Sequence, residues 1–190
     1  QDTTHFSVVD AKGNAVSCTT TLSAAFGAWM VVPQTGVLFS NAMGAFSPTG
    51  VNVLAPHKRM ASSMTPTLVV SQGKAVAVIG SPGGDTIPGT VSQVLRNLVD
   101  WGMTIDAAIE QPRVHHQYRP DEVRLEKRRP PPPAVQAALR KMGHQLELSP
   151  LNLGDVNGIV VDVESGVAWG YADTRKGGLA QGPRAEATQP

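Results

Sequence analysis

Apolar and polar positions alternate from the start of the chain. His5-Phe6-Ser7-Val8-Val9 is short and β-rich, Asp10 to Asn14 carries turn chemistry, and Ala15 to Leu22 alternates again. This pattern predicts a β-hairpin. Further strands are predicted around Gly36 to Phe39, over Thr67 to Val70 and, beyond the turn Ser71-Gln72-Gly73-Lys74, over Ala75 to Gly80. A tight Ser81-Pro82-Gly83-Gly84 segment follows, and the period then changes. Ile87, Val91, Val94, Leu95, Leu98 and Val99 recur at helical spacing. Thr104 stands where it can cap a second, shorter helix that runs through Glu110 and stops near Pro112. A third helix is predicted after the proline run, with Val135, Ala138, Leu139 and Met142 on one face and Gly143 at its C-terminal cap. Gln145 to Leu148, Gly158 to Val163 and Val167 to Ala172 complete the chain as strands. Strands, then helices, then strands suit an α+β layered sandwich better than βαβ alternation. Ala42 to Pro56 shows no period, so it is expected either to be functional or to be covered by another chain.

Composition adds limits. With 190 residues and 41% apolar content, the chain is expected to form one domain over residues 1–182, with a loose tail over 183–190. A net charge of +1 gives no reason to expect a nucleic-acid or membrane partner. No apolar stretch is long enough to span a bilayer, and the chain does not open with a leader. Because it begins Gln1-Asp2-Thr3 without Met, it reads as a fragment or a processing product. Lys127-Arg128-Arg129 abuts Pro130 to Pro133 and reads as a solvated linker. The lone Cys18 excludes an intrachain disulfide and reads as a small core side chain. His115 and His116 are adjacent, so they point in different directions from a regular element. With no Cys partner and no spaced third ligand they are expected to be structural hydrogen-bonders, not a metal site.

Candidate chemistry begins with the hairpin. If its turn centres on Lys12-Gly13, paired residues sum to about 24 or 25, which sets Thr3 opposite Thr21 or Leu22. Two threonine hydroxyls meeting at the start of a strand are also what an ordinary cross-strand pair looks like. Gly83 and Gly84 precede a helix, where glycine backbone N–H groups can approach a substrate closely; an ordinary strand-to-helix turn has the same sequence. Ser62-Ser63 before Met64-Thr65-Pro66 is compatible with turn chemistry.

A resemblance organises these features. Thr3-Thr4-His5-Phe6-Ser7-Val8-Val9-Asp10, followed by Gly13-Asn14-Ala15-Val16-Ser17, is similar to the start of the small, catalytic subunit of gamma-glutamyltransferases. So are Lys58-Arg59 with Ser62-Ser63-Met64-Thr65-Pro66-Thr67, and Gly80-Ser81-Pro82-Gly83-Gly84. Pro112-Arg113-Val114-His115-His116-Gln117 with Pro120-Asp121-Glu122, and Ala172-Asp173-Thr174-Arg175, complete a set that runs in order to about Gly182. The resemblance implies an N-terminal-nucleophile hydrolase with a layered αββα sandwich, completed by a large subunit cut from the same precursor. It implies that Thr3 is the nucleophile and its freed α-amine the base, and that Thr21 hydrogen-bonds the nucleophile. It also implies that Gly83 and Gly84 form the oxyanion hole, while Ser62 and Ser63 hold a substrate carboxylate. The substrate would be a small-molecule amide, and no cofactor or metal is implied. Asp173 and Arg175 are expected to pair or cap locally.

The chain departs from the family where a substrate ammonium is held. The transferases use an Asn, a Gln or Glu, and an Asp; the matching positions here are Ser23, Ala42 and Ala45. A buried ammonium without partners is costly, so the pocket is expected to favour an amine-free, glutaryl-type acyl group, as in the cephalosporin acylases of this family. The stretch between Phe46 and Lys58 is also shorter than in members with a lid loop, which leaves an open site with water as acceptor. Two alternatives stand beside this reading. One is a conventional glutathione hydrolase or gamma-glutamyltransferase. The other is an unprocessed, inactive homologue acting as a structural or binding subunit.

Overall fold

The computed structural model describes residues 3–183; most of the tail expected over 183–190 lies outside the described residues. Strands β1 (Thr3–Val9) and β2 (Ala15–Thr21) form the predicted antiparallel hairpin, in the register that pairs Thr3 with Thr21 and Val9 with Ala15. Its turn is closed by chemistry read directly from the sequence. Asp10 Oδ1 accepts from Lys12 N–H at 2.8 Å and from Asn14 N–H at 2.9 Å, and Gly13 takes φ 82°, which an L side chain rarely adopts.

Strands β3 (Thr67–Ser71) and β4 (Lys74–Gly80) form a second hairpin. With β8 (Asn157–Val161) and β9 (Ala168–Ala172) they make an antiparallel four-stranded sheet in the order β3-β4-β8-β9. Helix α1 (Ile87–Val99) and the short α2 (Ile105–Glu110) cover one face of that sheet. Ile87, Val91 and Val94 of α1 join Ile105, Ala108 and Ile109 of α2 on Ala77, Ile79 and Val156, all buried. The helical spacing seen in the sequence is thus the stripe that meets the sheet. Thr104 takes the extended N-cap position of α2, but its hydroxyl makes no capping bond.

The opposite face of the sheet carries the β1–β2 hairpin, which gives the order helices, sheet, hairpin. A smaller sheet joins β5 (Val114–His116) and β6 (Val123–Glu126) antiparallel, with β7 (Leu146–Ser149) parallel to β6. Helix α3 (Pro133–Lys141) precedes β7 and ends at Gly143, φ 95°.

Five features differ from, or add to, the reading of the sequence. The strand predicted over Gly36 to Phe39 is a single bridge between Val31 and Leu38, because the turn between them leaves too few residues to pair. The strands β5 and β6, missed by pattern, are too short and too charged to show a period. The apolar face of α3 is not buried within this chain: Val135 is 45% and Met142 72% exposed. Cys18 is only partly buried, on the outward face of β2. Arg129, at the end of the basic run, pairs with Glu110, while Lys127 and Arg128 are exposed.

Candidate active site

Alternation in β1 and β2 sends every second side chain toward the sheet, and here the inward side is the polar one. Thr3, His5 and Ser7 face Thr21, Thr19 and Ser17 across the ladder. Ser7 Oγ donates to the Asn157 carbonyl at 3.0 Å, and Ser17 Oγ donates to the Ile79 carbonyl at 3.0 Å while accepting from Thr67 N–H at 3.0 Å. Because the one Ser7 hydroxyl proton goes to Asn157, Ser7 Oγ accepts from Nε2–H of His5 at 3.1 Å. His5 Nδ1 then accepts from the Thr19 hydroxyl at 2.8 Å. His5 is therefore a neutral imidazole with a defined tautomer. Burial lowers its pKa to about 4, and a Cβ on Gly80 would fall 2.2 Å from its ring.

At the open end of this ladder Thr3 Oγ1 donates to Thr21 Oγ1 at 3.1 Å, and Thr21 Oγ1 also accepts from Ser23 N–H at 2.9 Å. Ser23 holds φ 74°, a left-handed conformation uncommon for serine; strain of this kind concentrates at functional sites.

These residues border a cavity of about 450 Å³. Thr3, Thr21, Ser23, Ser62, Ser63 and Gly84 all line it, so the structure brings together residues spread over more than eighty positions. Gly83 precedes Gly84 in the same loop but does not line the cavity. Ala42 and Ala45, in a single 3-10 turn, supply apolar wall along with Met60, Met64 and Ile87. Among the described residues the one carboxylate on the lining is Asp85, which is exposed. Ser62 Oγ accepts from Met64 N–H at 3.2 Å, so turn chemistry leaves its hydroxyl proton for other use. Ser63 Oγ instead donates to the Gly84 carbonyl at 2.9 Å, which ties the serine pair to the glycine loop.

Behind the glycine loop lies a feature that the sequence showed only in part. Asp173 and Arg175 do pair, at 3.1 Å, but within a buried alternation of four charges. Arg113 contacts Asp173 at 2.7 Å, and Arg175 contacts Glu126 at 2.7 Å. Burial is the largest single influence on Asp173 and would raise its pKa, but the charges of Arg113 and Arg175 together with the N–H bonds from Val156 and Arg175 outweigh it, and the net shift is downward. Arg113 Nη1 and Thr90 Oγ1 both donate to the Leu153 carbonyl, and Glu126 Oε1 accepts from Leu153 N–H. The network thus sets the Leu153–Asp155 segment, which packs on Ser81 and Gly83. Burial, reinforced by the Asp173 charge, raises the Asp155 pKa. No sequence signal marked Arg113 or Glu126 for burial, since their partners lie 60 and 49 residues away. His115 and His116 hydrogen-bond Gln117 and Asp121, and among the described residues no group of His, Cys, Asp and Glu is arranged to hold a metal ion.

The chain is similar to known proteins in sequence and in fold. The family model described as Gamma-glutamyltranspeptidase matches residues 1–182. The chain is 39% identical over 186 residues to the glutathione hydrolase proenzyme of Bacillus subtilis (strain 168), covering 95% of this chain and 30% of that protein. It is 36% identical over 189 residues to the acylase ACY 1 proenzyme of Pseudomonas sp. (strain SE83), covering 95% of this chain and 33% of that protein. Its fold superposes on a highly active mutant of gamma-glutamyltranspeptidase from Pseudomonas nitroreducens with a TM-score of 0.85 at 36% identity, covering 96% of this chain and 100% of that one. The chain therefore spans about a third of the length of these curated relatives and the whole of the matched solved chain.

Proposed function

The chain belongs to the gamma-glutamyltranspeptidase family, and on that premise we propose that it is the catalytic part of an N-terminal-nucleophile amidohydrolase whose acyl group is carried by Thr3. The observation that carries this reading is the Thr3–Thr21 hydroxyl pair, 3.1 Å apart, on a cavity that Gly84 also lines. Thr3 Oγ1 attacks the amide carbonyl carbon, and its hydroxyl proton passes to the Thr3 α-amine. An α-amine titrates at about 7.7 to 8.0, so a useful fraction is neutral base near pH 7. Tethering it to the nucleophile places both functions in one residue. Backbone N–H groups of Gly83 and Gly84 stabilise the oxyanion of the tetrahedral intermediate. On collapse the C–N bond breaks, the α-ammonium returns its proton to the leaving amine, and an acyl-threonine ester remains. Water, deprotonated by the same amine, attacks the ester and releases the acid.

The acyl group is read from the wall. Ala42 and Ala45 offer no hydrogen bond to an α-ammonium, and Asp85 sits where water screens it. A glutaryl-type amide, with hydrolysis favoured over transfer, fits such a cavity, with Ser62 and Ser23 as the polar contacts to the acyl chain. The relative named as an acylase supports this choice. The relative named as a glutathione hydrolase favours a second reading, in which the ammonium is held by groups outside this chain.

A partner completes the molecule. Phe26, Trp29 and Val51 are 63%, 78% and 95% exposed in the irregular region between β2 and β3. Phe6, Val8 and Val16 are about half exposed on the outward side of the hairpin. Such exposed apolar side chains suit burial by another chain, and a large subunit cut from the same precursor ahead of Thr3 is the proposed occupant. The test of the acyl reading is kcat/KM of the complete, processed protein for glutaryl and γ-glutamyl anilides, which differ by the α-amine alone. We expect the glutaryl anilide to be preferred. A tenfold or greater preference for the γ-glutamyl anilide would establish the second reading instead.

A further inference from the structure

In the loop after β4, each hydroxyl is turned onto a backbone carbonyl. Ser81 is fully buried, and its Oγ donates to the carbonyl of Pro82 at 2.6 Å while accepting from Asp155 N–H at 2.8 Å. Thr86 Oγ1 donates to the carbonyl of Gly83 at 2.9 Å. Thr86 occupies the N-cap position of α1, where a threonine ordinarily accepts from the N–H groups of the first turn. Here it makes no such bond and reaches backward instead.

A trans peptide holds its C=O and N–H antiparallel, and the peptide bonds at 82–83 and 83–84 are trans. Fixing the Pro82 carbonyl toward buried Ser81 therefore directs Gly83 N–H the opposite way. Fixing the Gly83 carbonyl toward Thr86 does the same for Gly84 N–H. Among the described residues neither N–H has an acceptor. The space is fully used: a Cβ on Gly83 would lie 2.7 Å from Thr86 Oγ1 and 3.2 Å from Gly154 Cα, and Gly83 holds φ 144°.

We infer that Ser81 and Thr86 are positioning residues that aim the N–H groups of Gly83 and Gly84 at the reacting carbonyl oxygen. The inference rests on the reading of those glycines as the oxyanion hole. Neither hydroxyl touches substrate; each acts through the far end of the peptide it holds. Their effect is confined to the transition state, because donors aimed in advance stabilise charge as it develops and contribute little to ground-state binding.

The test uses the complete, processed enzyme with Thr86→Val, which keeps the shape and removes the hydroxyl, and Thr86→Ser, which restores it. For a glutaryl anilide, Thr86→Val should lower kcat about tenfold to a hundredfold, less than the roughly hundredfold to thousandfold cost of losing an oxyanion donor outright, because the donor is misaimed and not removed. KM should change less than about threefold, and affinity for an alkylboronic acid that forms a tetrahedral adduct on Thr3 should fall in parallel with kcat. Thr86→Ser should recover most of both. Ser81→Ala should show the same division between kcat and KM. A crystal structure of the wild-type boronate adduct tests the underlying reading separately. If its oxygen lies beyond about 3.2 Å of both Gly83 N and Gly84 N, the oxyanion reading fails and the inference with it. If the adduct is bound by those N–H groups yet Thr86→Val leaves kcat and boronate affinity unchanged, the hole stands and the positioning role is overturned.

Discussion

One face of β4 puts Ala77 and Ile79 against α1 and α2 in a dry cluster, with Ile79 and Ile109 fully buried. The other face meets the β1–β2 hairpin through Ser7, Ser17, His5 and the carbonyls of Asn157 and Ile79. The same strand is therefore held by non-directional burial on one side and by aimed hydrogen bonds on the other. Burial tolerates small shifts, since apolar contacts have no preferred angle. A hydrogen bond weakens steeply when misaligned. The face that carries Thr3 is thus the face where position is specified, and the face that carries the helices is where stability is accumulated. The inverted hairpin, polar inward and apolar outward, follows from that division.

The largest expected effect tests whether the chemistry lies on the hydrogen-bonded face. Thr3→Ala should lower anilide hydrolysis a thousandfold or more, comparable to loss of a catalytic nucleophile elsewhere. It should also leave an uncut precursor by intact mass, while the mature active chain begins at Thr3. Active protein that retains Gln1-Asp2 on the same chain would overturn the mechanism.

Stability should divide the faces the other way. Ile79→Ala, on the dry face, should cost about 2 to 5 kcal/mol in urea unfolding. Ser17→Ala removes partners from the Ile79 carbonyl and Thr67 N–H and should cost about 1 to 3 kcal/mol. We expect Ser17→Ala to lower kcat by more than its stability loss suggests, and Ile79→Ala the reverse. Equal kinetic effects at matched stability would erase the distinction.

Acid should weaken the hydrogen-bonded face selectively. His5 has a pKa of about 4 in the fold against 6.5 ordinarily. Between those values the unfolded chain binds a proton that the folded one does not, so this contribution is present above pH 6.5 and lost as pH falls toward 4. The difference is about 3 kcal/mol across the window. Urea midpoints of wild type and His5→Gln, followed from pH 7 to 4, should show a shallower fall in the variant. Parallel curves would mean that His5 is not the titrating group.

The smallest effect concerns the cavity wall. Ala42→Gln with Ala45→Asp returns an amide and an acid to the site, and should move the anilide preference toward γ-glutamyl by roughly a hundredfold, about 2.8 kcal/mol. Unchanged selectivity would show that the 3-10 turn does not contact the acyl α-carbon.

Local features were legible in the sequence for a physical reason. The β1–β2 register follows from a turn of a few residues whose Asp10, Gly13 and Asn14 chemistry is self-contained, and it narrows the partner of Thr3 to Thr21 or Leu22 before any tertiary contact is known; the fold selects Thr21. The α1 stripe was legible because helical spacing repeats over thirteen residues. The brief, charged β5 and β6 carried no such repeat.

What only the tertiary structure decided is which face each element turns inward and which distant groups meet. Alternation in β1 and β2 states a period of two but not a direction, and Cys18 and Phe6 face outward because directional bonds claim the other side. The junction of Arg113, Glu126, Asp173 and Arg175 depends on contacts across dozens of residues, which pattern cannot encode. The backward reach of Thr86, which the fold sets at the N-cap of α1, likewise depends on a glycine conformation packed against Gly154. Short-range spacing determined most of the elements, and the family resemblance of the motifs singled out the candidate nucleophile. Long-range packing determined where each hydroxyl proton goes, because a hydrogen bond needs its partner within about 3 Å and the chain brings those partners together only when folded.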